Sequence, residues 1–489
     1  MFYPQQVRVL TLFLCVLFYG CSRDSVDQSV TPESVISESV TPAPGFNLSG
    51  FEFGSSPSTG SFPTQQDLQT YADYGATMVR IPFRWEYFAD QSGNLSGSGA
   101  SYLSSVDALA KQAVTMGLTV MLDLHNYMRY CPNAAAGSCG TIVTGSQLAA
   151  VWQTIVSQVS VVQASPDQVW LDLMNEPNGI SASSTLDLQA QAVAGLRTAG
   201  ITNRVVFEGT SWTGLHSWQS SGNSTAFTAT GIETAVKNYA SNADPAPYAI
   251  EVHQYLDTNF SGTQYQCVSS DGFLDAINFS SFMNWVQSNQ MAVILGEFGG
   301  AANGTCMDTL QTLMTQVTNN PYSADSGGFL AWTAWGGGHA WGNNYLMGLV
   351  PIDSSNTPGV SQAYITPQLD TLAPFLGKTN PDPDLYTTVQ PSFSSFGTCG
   401  SGLISVNITN DLGQGVASGN FQYQIGSGPV DVPLGFSLAN AQNNQEATFC
   451  LPTGTTELIF YPAPNFQPKT IPIGSDPSYS FNLSQYAGQ

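Results

Sequence analysis

From Phe46 to about Phe375, short apolar runs alternate with longer stretches in which apolar residues recur every three or four positions. The short runs predict buried strands and the longer ones amphipathic helices, the rhythm of consecutive βα units. Eight strands are expected: Phe46–Phe51, Met78–Pro82, Thr119–Asp123, Val169–Met174, Val205–Phe207, Ala249–Val252, Ala292–Gly296 and Gly328–Thr333. Helices are expected between them, among them Ser101–Met116, Ser146–Val162, Leu186–Ala199, Phe279–Gln290 and Met307–Val317. Eight such units in about 330 residues fit an α/β fold, the (β/α)8 TIM barrel, here over residues 45–390. After about Pro391 the texture changes to short alternating segments broken by Gly, Pro and Asn, as in Gly402–Ile408, Phe421–Ile425, Ala447–Leu451 and Glu457–Tyr461. A separate C-terminal all-β, sandwich-like module of unknown role is expected over residues 391–489.

Other pattern breaks lie at the start of the chain. Arg8 precedes the apolar run Val9–Tyr19, too short to span a bilayer and suited to an export signal over residues 1–21. Gly20-Cys21-Ser22 follows, leaving two readings open: ordinary cleavage nearby, or cleavage with lipid attached to Cys21 as a membrane tether. Residues 22–44 are rich in Ser, Val, Thr, Pro and acid without helical or strand period, as expected of a disordered linker. An exported chain permits disulfides, and six cysteines remain beyond Cys15 and Cys21. Their spacing favours the pairs Cys131–Cys139, Cys267–Cys306 and Cys399–Cys450, although sequence does not determine connectivity.

Composition narrows the function classes. Only 9% of the 489 residues are charged, and 11 Lys and Arg face 34 Asp and Glu, for a net charge of −23. Such a surface repels phosphate backbones, so nucleic acid is excluded as a partner. Few ionisable groups also mean few charged pairs to lose on acidification, so acid tolerance is expected.

In a barrel of this kind reactive groups sit just beyond the carboxyl ends of the strands. Arg80 ends the second expected strand and His125 follows the third; Asn175 and Glu176 follow the fourth, and Trp212 the fifth. His253 and Tyr255 follow the sixth, Glu297 ends the seventh and Trp335 follows the eighth. Two carboxylates from opposite walls can flank one glycosidic bond, one giving a proton to the leaving oxygen and the other attacking the anomeric carbon. Glu208 also ends a strand and is the rival for one carboxylate role; it is read as a structural or subsite residue. Neither His-Glu-x-x-His nor Cys-x-x-Cys occurs, so no catalytic metal and no cofactor is expected.

The segments GFNLSGFEFG, VRIP, LHNYMRY, VWLDLMNEP, VHQYLD and LGEFGG, with Trp335, occur in an order and spacing that resemble glycoside hydrolase family 5, and most closely its cellulase subfamily. The similarity covers residues 45 to about 350 and none of the tail. It implies that Glu176 is the general acid/base and Glu297 the nucleophile of a retaining endo-β-1,4-glucanase. It further implies that Arg80 and Tyr255 hydrogen-bond the nucleophile, that Asn175 meets the sugar 2-hydroxyl, that His125 and His253 line the cleavage subsite, and that Trp335 is its stacking floor. The substrate would be a β-glucan polysaccharide or oligosaccharide. Phe298, where close relatives often carry a smaller polar residue, leaves substrate range open to mannan, xyloglucan or mixed-linkage glucan.

Each of these residues also has a plainer reading. Trp152, Trp170 and Trp285 fit core positions, whereas Trp212, Trp218, Trp335 and Trp341 fall in expected loops where an indole face would suit a sugar. His216 and His339 are loop residues or subsite contacts, and Arg84 and Arg129 fit structural ion pairs. A catalytically idle glucan-binding surface protein is the rival to an enzyme. A secreted or lipid-tethered monomer is expected.

Overall fold

Strands that are apolar on both faces must be covered on both, and a parallel sheet closed on itself inside a ring of helices achieves this. The computed structural model describes residues 39–54, 61–131, 140–264, 266–301, 304–341, 345–349 and 366–377, and beyond residue 400 the backbone of seven strands. The barrel strands are β1 (Ala43–Leu48), β2 (Met78–Phe83), β3 (Thr119–Leu124), β4 (Val169–Asp172), β5 (Val205–Glu208), β6 (Tyr248–Tyr255), β7 (Ala292–Gly299) and β8 (Gly328–Gly337). Each pairs in parallel with the next, and β8 returns to β1 to close the ring. The principal helices between and after them are α1 (Gln65–Asp73), α2 (Gly99–Thr115), α3 (Gly145–Gln158), α4 (Ala182–Thr198), α5 (Ala229–Tyr239), α6 (Phe279–Ser288), α7 (Gly304–Asn319) and α8 (Pro367–Leu372). Capping boxes at Thr64 and Thr144 fix where α1 and α3 begin, each contributing about 1 kcal/mol.

The expected strands are present, with ends that differ for a physical reason. Apolar patterning stops at Val252, Gly296 and Thr333, but β6, β7 and β8 continue to Tyr255, Gly299 and Gly337 because the backbone ladder does not depend on apolar side chains. The first strand starts at Ala43, inside the stretch read as linker, and stops before Gly50, whose φ of 143° an L side chain rarely adopts. The long helix expected over Ser146–Val162 breaks at Val159, and Val161–Ala164 forms a separate turn.

Side chains alternate faces along each strand. Val79, Ile81, Val120, Leu122, Ile250 and Val252 belong to the large cluster shared with the helices. The alternate positions Met78, Met121, Trp170, Val206, Ala249 and Ile294 meet one another inside the barrel. Two residues further along, the same inward positions become Arg80, Asp123, Asp172, Glu208 and Glu251, all fully buried. The site stands on this second layer.

Cys267 is bonded to Cys306, tying the segment after β6 to α7 across 39 residues, a closure worth roughly 4 kcal/mol on chain-entropy grounds. Cys131 is also disulfide-bonded. Its expected partner Cys139 lies outside the described residues, as do Cys399, the export segment with Cys21, and the linker up to residue 38. Among the described residues no helix is long and apolar enough to cross a membrane.

In the tail, Leu403–Asn410, Ser418–Ile425, Val430–Ser437, Gln445–Pro452, Thr455–Pro462, Lys469–Pro472 and Ser478–Asn482 form β9 to β15. They make a four-stranded sheet ordered β11-β10-β13-β14 and a three-stranded sheet ordered β12-β9-β15. Strands β9, β10, β12 and β13 overlap the segments named as examples from the sequence.

Candidate active site

Glu297 reaches the barrel mouth through an irregularity. Strict alternation from Ile294 would turn position 297 toward the helices. The pairing of β6 with β7 shifts register instead, from Val252 opposite Leu295 to His253 opposite Glu297, so that Gly296 is the extra residue and Glu297 faces inward. Only glycine fits there, because a Cβ on Gly296 would lie 1.7 Å from Glu251 Oε1. The Gly296 carbonyl accepts hydrogen bonds from the Asn47 amide at 2.8 Å and the Thr333 hydroxyl at 2.6 Å, which lock the bulge to β1 and β8.

Arg80 Nη1 donates to Glu297 Oε1 at 2.8 Å, and the Tyr255 hydroxyl donates to Glu297 Oε2 at 2.6 Å. The same guanidinium bonds Asn175 Oδ1 at 2.8 Å and Asp172 Oδ2 at 2.9 Å, and pairs with Asp123 and Glu251, each at 3.0 Å. Glu176 stands in the turn after β4 with a left-handed φ of 47°. His253 Nδ1 lies 2.8 Å from Glu176 Oε1 and its Nε2 3.1 Å from Glu251 Oε1. One carboxylate oxygen of Glu176 lies within 4.8 Å of one of Glu297.

These contacts set the charges. Burial opposes ionisation of Glu297, but His253 and Arg80 outweigh it and hold the carboxyl below the ordinary carboxylate value. Burial also opposes a charged His253, yet Glu297, Glu208 and the bonds to Glu176 and Glu251 keep it an imidazolium well above its ordinary range. His125 goes the other way, lowered by burial. As a neutral ring it donates from Nδ1 to Asp123 at 2.7 Å and accepts at Nε2 from the Asn175 amide at 3.3 Å. Burial and mutual repulsion push Asp123, Asp172 and Glu208 well up, since one guanidinium and one imidazolium cannot balance every acid of the layer.

The structure brings together the expected site residues Arg80, His125, Asn175, Glu176, His253, Tyr255 and Glu297. Trp335 joins them from β8, its ring stacked on His125 at 5.7 Å and its indole N–H donating to the Tyr345 hydroxyl at 2.9 Å. Trp212 is 56% exposed and shares a cleft with Glu176, His253 and Tyr255. That cleft, of about 570 Å³, is also lined by Tyr127, His216 and Phe260.

Other expectations are corrected. Trp218 is not a cleft residue: it is fully buried against Phe227, Phe282 and Trp285. Arg129 makes no ion pair among the described residues and donates instead to the carbonyls of Tyr127 and Asn178, whereas Arg84 does pair with Glu86, at 3.6 Å. His339 bonds Asp67 of the α1 capping box at 2.9 Å. Sequence reasoning missed Asp123, Asp172 and Glu251, and also Glu52, whose carboxyl burial pushes up to about 7. A signal existed for the first three, an acid two residues beyond an inward apolar residue on β3, β4 and β6.

Among the described residues two triplets, Glu176-His253-Glu297 and Glu208-Glu251-His253, gather three ligand-type atoms within 4.8 Å. Both need His253, which would have to surrender a proton already shared with a carboxylate. The arrangement suits an acid and a base working in tandem better than a metal.

Comparison with known proteins agrees with this geometry. Residues 37–338 match the family model described as cellulase (glycosyl hydrolase family 5). Endoglucanase 1 of Robillarda sp. (strain Y-20) is 27% identical over 72% of this chain and 83% of its own length, and endoglucanase 3 of Humicola insolens is 29% identical over 63% and 72%. The structure of XacCel5A in complex with cellopentaose superimposes with a TM-score of 0.55 at 27% identity, covering 68% of this chain and 99% of that one. An endo-β-1,4-glucanase from Xanthomonas axonopodis pv. citri gives 0.54 at 26% identity, covering 68% and 98%. With an eight-stranded barrel, a carboxylate pair at its mouth and a family match over more than half its length, the chain belongs to glycoside hydrolase family 5.

Proposed function

We propose that this protein is a secreted endo-β-1,4-glucanase that acts with retention through a covalent glycosyl-enzyme. The observation that carries the reading is the separation of the pair, with oxygens of Glu176 and Glu297 within 4.8 Å. Retaining enzymes hold their carboxyl groups about 5–5.5 Å apart, too close for an intervening water. Glu176 gives its proton to the leaving oxygen while Glu297 attacks the anomeric carbon. The bonds from Arg80 and Tyr255 keep Glu297 ionised and aimed. Glu176, now a carboxylate, then takes a proton from the water that releases the sugar. His253, an imidazolium within reach of both carboxylates, balances their charge as the proton moves. Asn175 is the residue for the sugar 2-hydroxyl, and Trp335, His125 and Trp212 supply surfaces for the rings on either side.

The relatives named endoglucanases and the cellopentaose complex support a β-1,4-glucan as substrate. Export by residues 1–21, a catalytic unit over 45–390 and a separate module over 391–489 complete the proposal. Azide rescue assigns the roles. On dinitrophenyl β-cellobioside with azide, Glu176→Ala should give the β-glycosyl azide, because azide attacks the glycosyl-enzyme. Glu297→Ala should give the α-azide, because azide replaces the nucleophile itself. The opposite pairing, or no azide product from either variant, would overturn the assignment.

A further inference from the structure

The turn that carries Glu176 is held by main-chain bonds on both sides. The Asn175 amide donates to the Leu124 carbonyl at 3.0 Å, the Asn175 carbonyl accepts from Tyr127 at 2.9 Å, and the Pro177 carbonyl accepts from Trp212 at 3.1 Å. Between them the Glu176 amide turns to a side chain, donating to Glu208 Oε2 at 2.6 Å. That amide belongs to a residue whose left-handed backbone costs roughly 1–2 kcal/mol, so an anchored partner is needed to keep it there.

Glu208 is such an anchor. Its side chain is fully buried, and Gln189 of α4 brackets its backbone, accepting from the Glu208 amide at 3.0 Å and donating to the Glu208 carbonyl at 2.7 Å. The other carboxyl oxygen lies 3.4 Å from Arg80 Nη2. We propose that Glu208 is the positioning residue of the proton donor: its carboxyl oxygen fixes the Glu176 amide in the left-handed turn and thereby aims the Glu176 carboxyl at the glycosidic oxygen. This rests on the reading of Glu176 as acid/base. A glutamine at this position keeps the shape of the side chain and an oxygen that accepts from the Glu176 amide.

The test compares kcat/KM on two aryl β-cellobiosides, one with a phenyl leaving group that needs a proton and one with a dinitrophenyl leaving group that does not. Glu208→Met keeps the volume and removes the acceptor. It should lower kcat/KM about 100-fold on the phenyl substrate and less than about threefold on the other. Glu208→Gln should stay within about fivefold of wild type on both. Should Glu208→Met fail to fold, Glu208→Asp, which withdraws the oxygen by about one 1.5 Å bond, should show the same split at about tenfold. Equal losses on both substrates, no loss on either, or a Glu208→Gln as impaired as Glu208→Met would overturn the proposal. Glu176→Gln is the control: if it lacks the split, the acid/base reading fails, whatever the Glu208 variants do.

Discussion

Inside this barrel two layers occupy the same strands two residues apart, and they are stabilised in opposite ways. The lower layer, Met78, Met121, Trp170, Val206 and Ala249, is wholly apolar, and burying a large apolar side chain there stabilises the fold by about 1.5–3 kcal/mol. The upper layer, Arg80, Asp123, Asp172, Glu208 and Glu251, is equally buried and almost wholly ionisable. Taking those groups out of water is costly, and their mutual contacts recover the cost only where every charge is paired. One layer builds the cylinder; the other builds a charged platform that sets the ionisation of Glu297 and His253.

The sharpest way to break this comparison is to make the upper layer resemble the lower. Arg80→Met should cost about 3–5 kcal/mol by stranding its carboxylates, measured by urea unfolding, and should lower kcat at least about 1,000-fold. Retained activity would show the platform to be mere filling. Gly296→Ala tests the bulge that joins the layers. A Cβ 1.7 Å from Glu251 Oε1 forces a shift costing about 1–3 kcal/mol, and kcat should fall about 100-fold as Glu297 turns away; a variant equal to wild type would refute the steric argument.

A gentler probe uses pH. Burial raises Glu52 from 4.5 to about 7, and its Oε1 has no hydrogen-bond partner among the described residues. A carboxyl raised by folding favours the fold fully below its unfolded value and less as pH rises through the folded one. The contribution is therefore present below about pH 4.5 and is lost through about pH 7, an effect of up to roughly 3 kcal/mol. Glu52→Gln should melt at a temperature less dependent on pH between 5 and 8 than wild type; parallel curves would contradict this. Asp123, Asp172 and Glu208 are raised in the same direction, whereas Asp67 and Glu297 are lowered.

The smallest effect is expected at the exposed edge of the site. Trp212→Ala should change stability by less than about 0.5 kcal/mol and raise KM several-fold on cello-oligosaccharides that extend past Glu176. An unchanged KM would remove Trp212 from the substrate cleft.

Much of this was legible in the sequence because strand ends are marked twice, by the end of an apolar run and by the polar residue that follows. Glu176, His253 and Glu297 carry both marks, whereas Arg80 lies inside β2 and shows only as a lone cation in an apolar run. Asp123, Asp172 and Glu251 were overlooked because a single acid within or at the end of TVMLDL, VWLDLM or AIEV does not disturb the apolar average, although it changes the chemistry of the inner face. The Gly296 bulge was illegible, since strict alternation assigns Glu297 to the wrong face. Trp218 misled for another reason: it follows a short 3-10 turn with no amphipathic period, so its burial against α6 depends on a contact distant in sequence. The first layer is written in periodicity; the second depends on register, which only closure of the ring reveals.

The central claim concerns the pair at the mouth of the cylinder, and its most direct test is proton NMR of the anomeric signal during hydrolysis of a soluble cello-oligosaccharide. The account predicts that the β-anomer of the new reducing end forms first and only later mutarotates toward the equilibrium mixture. An initial burst of the α-anomer would contradict it, because that outcome requires a water between Glu176 and Glu297.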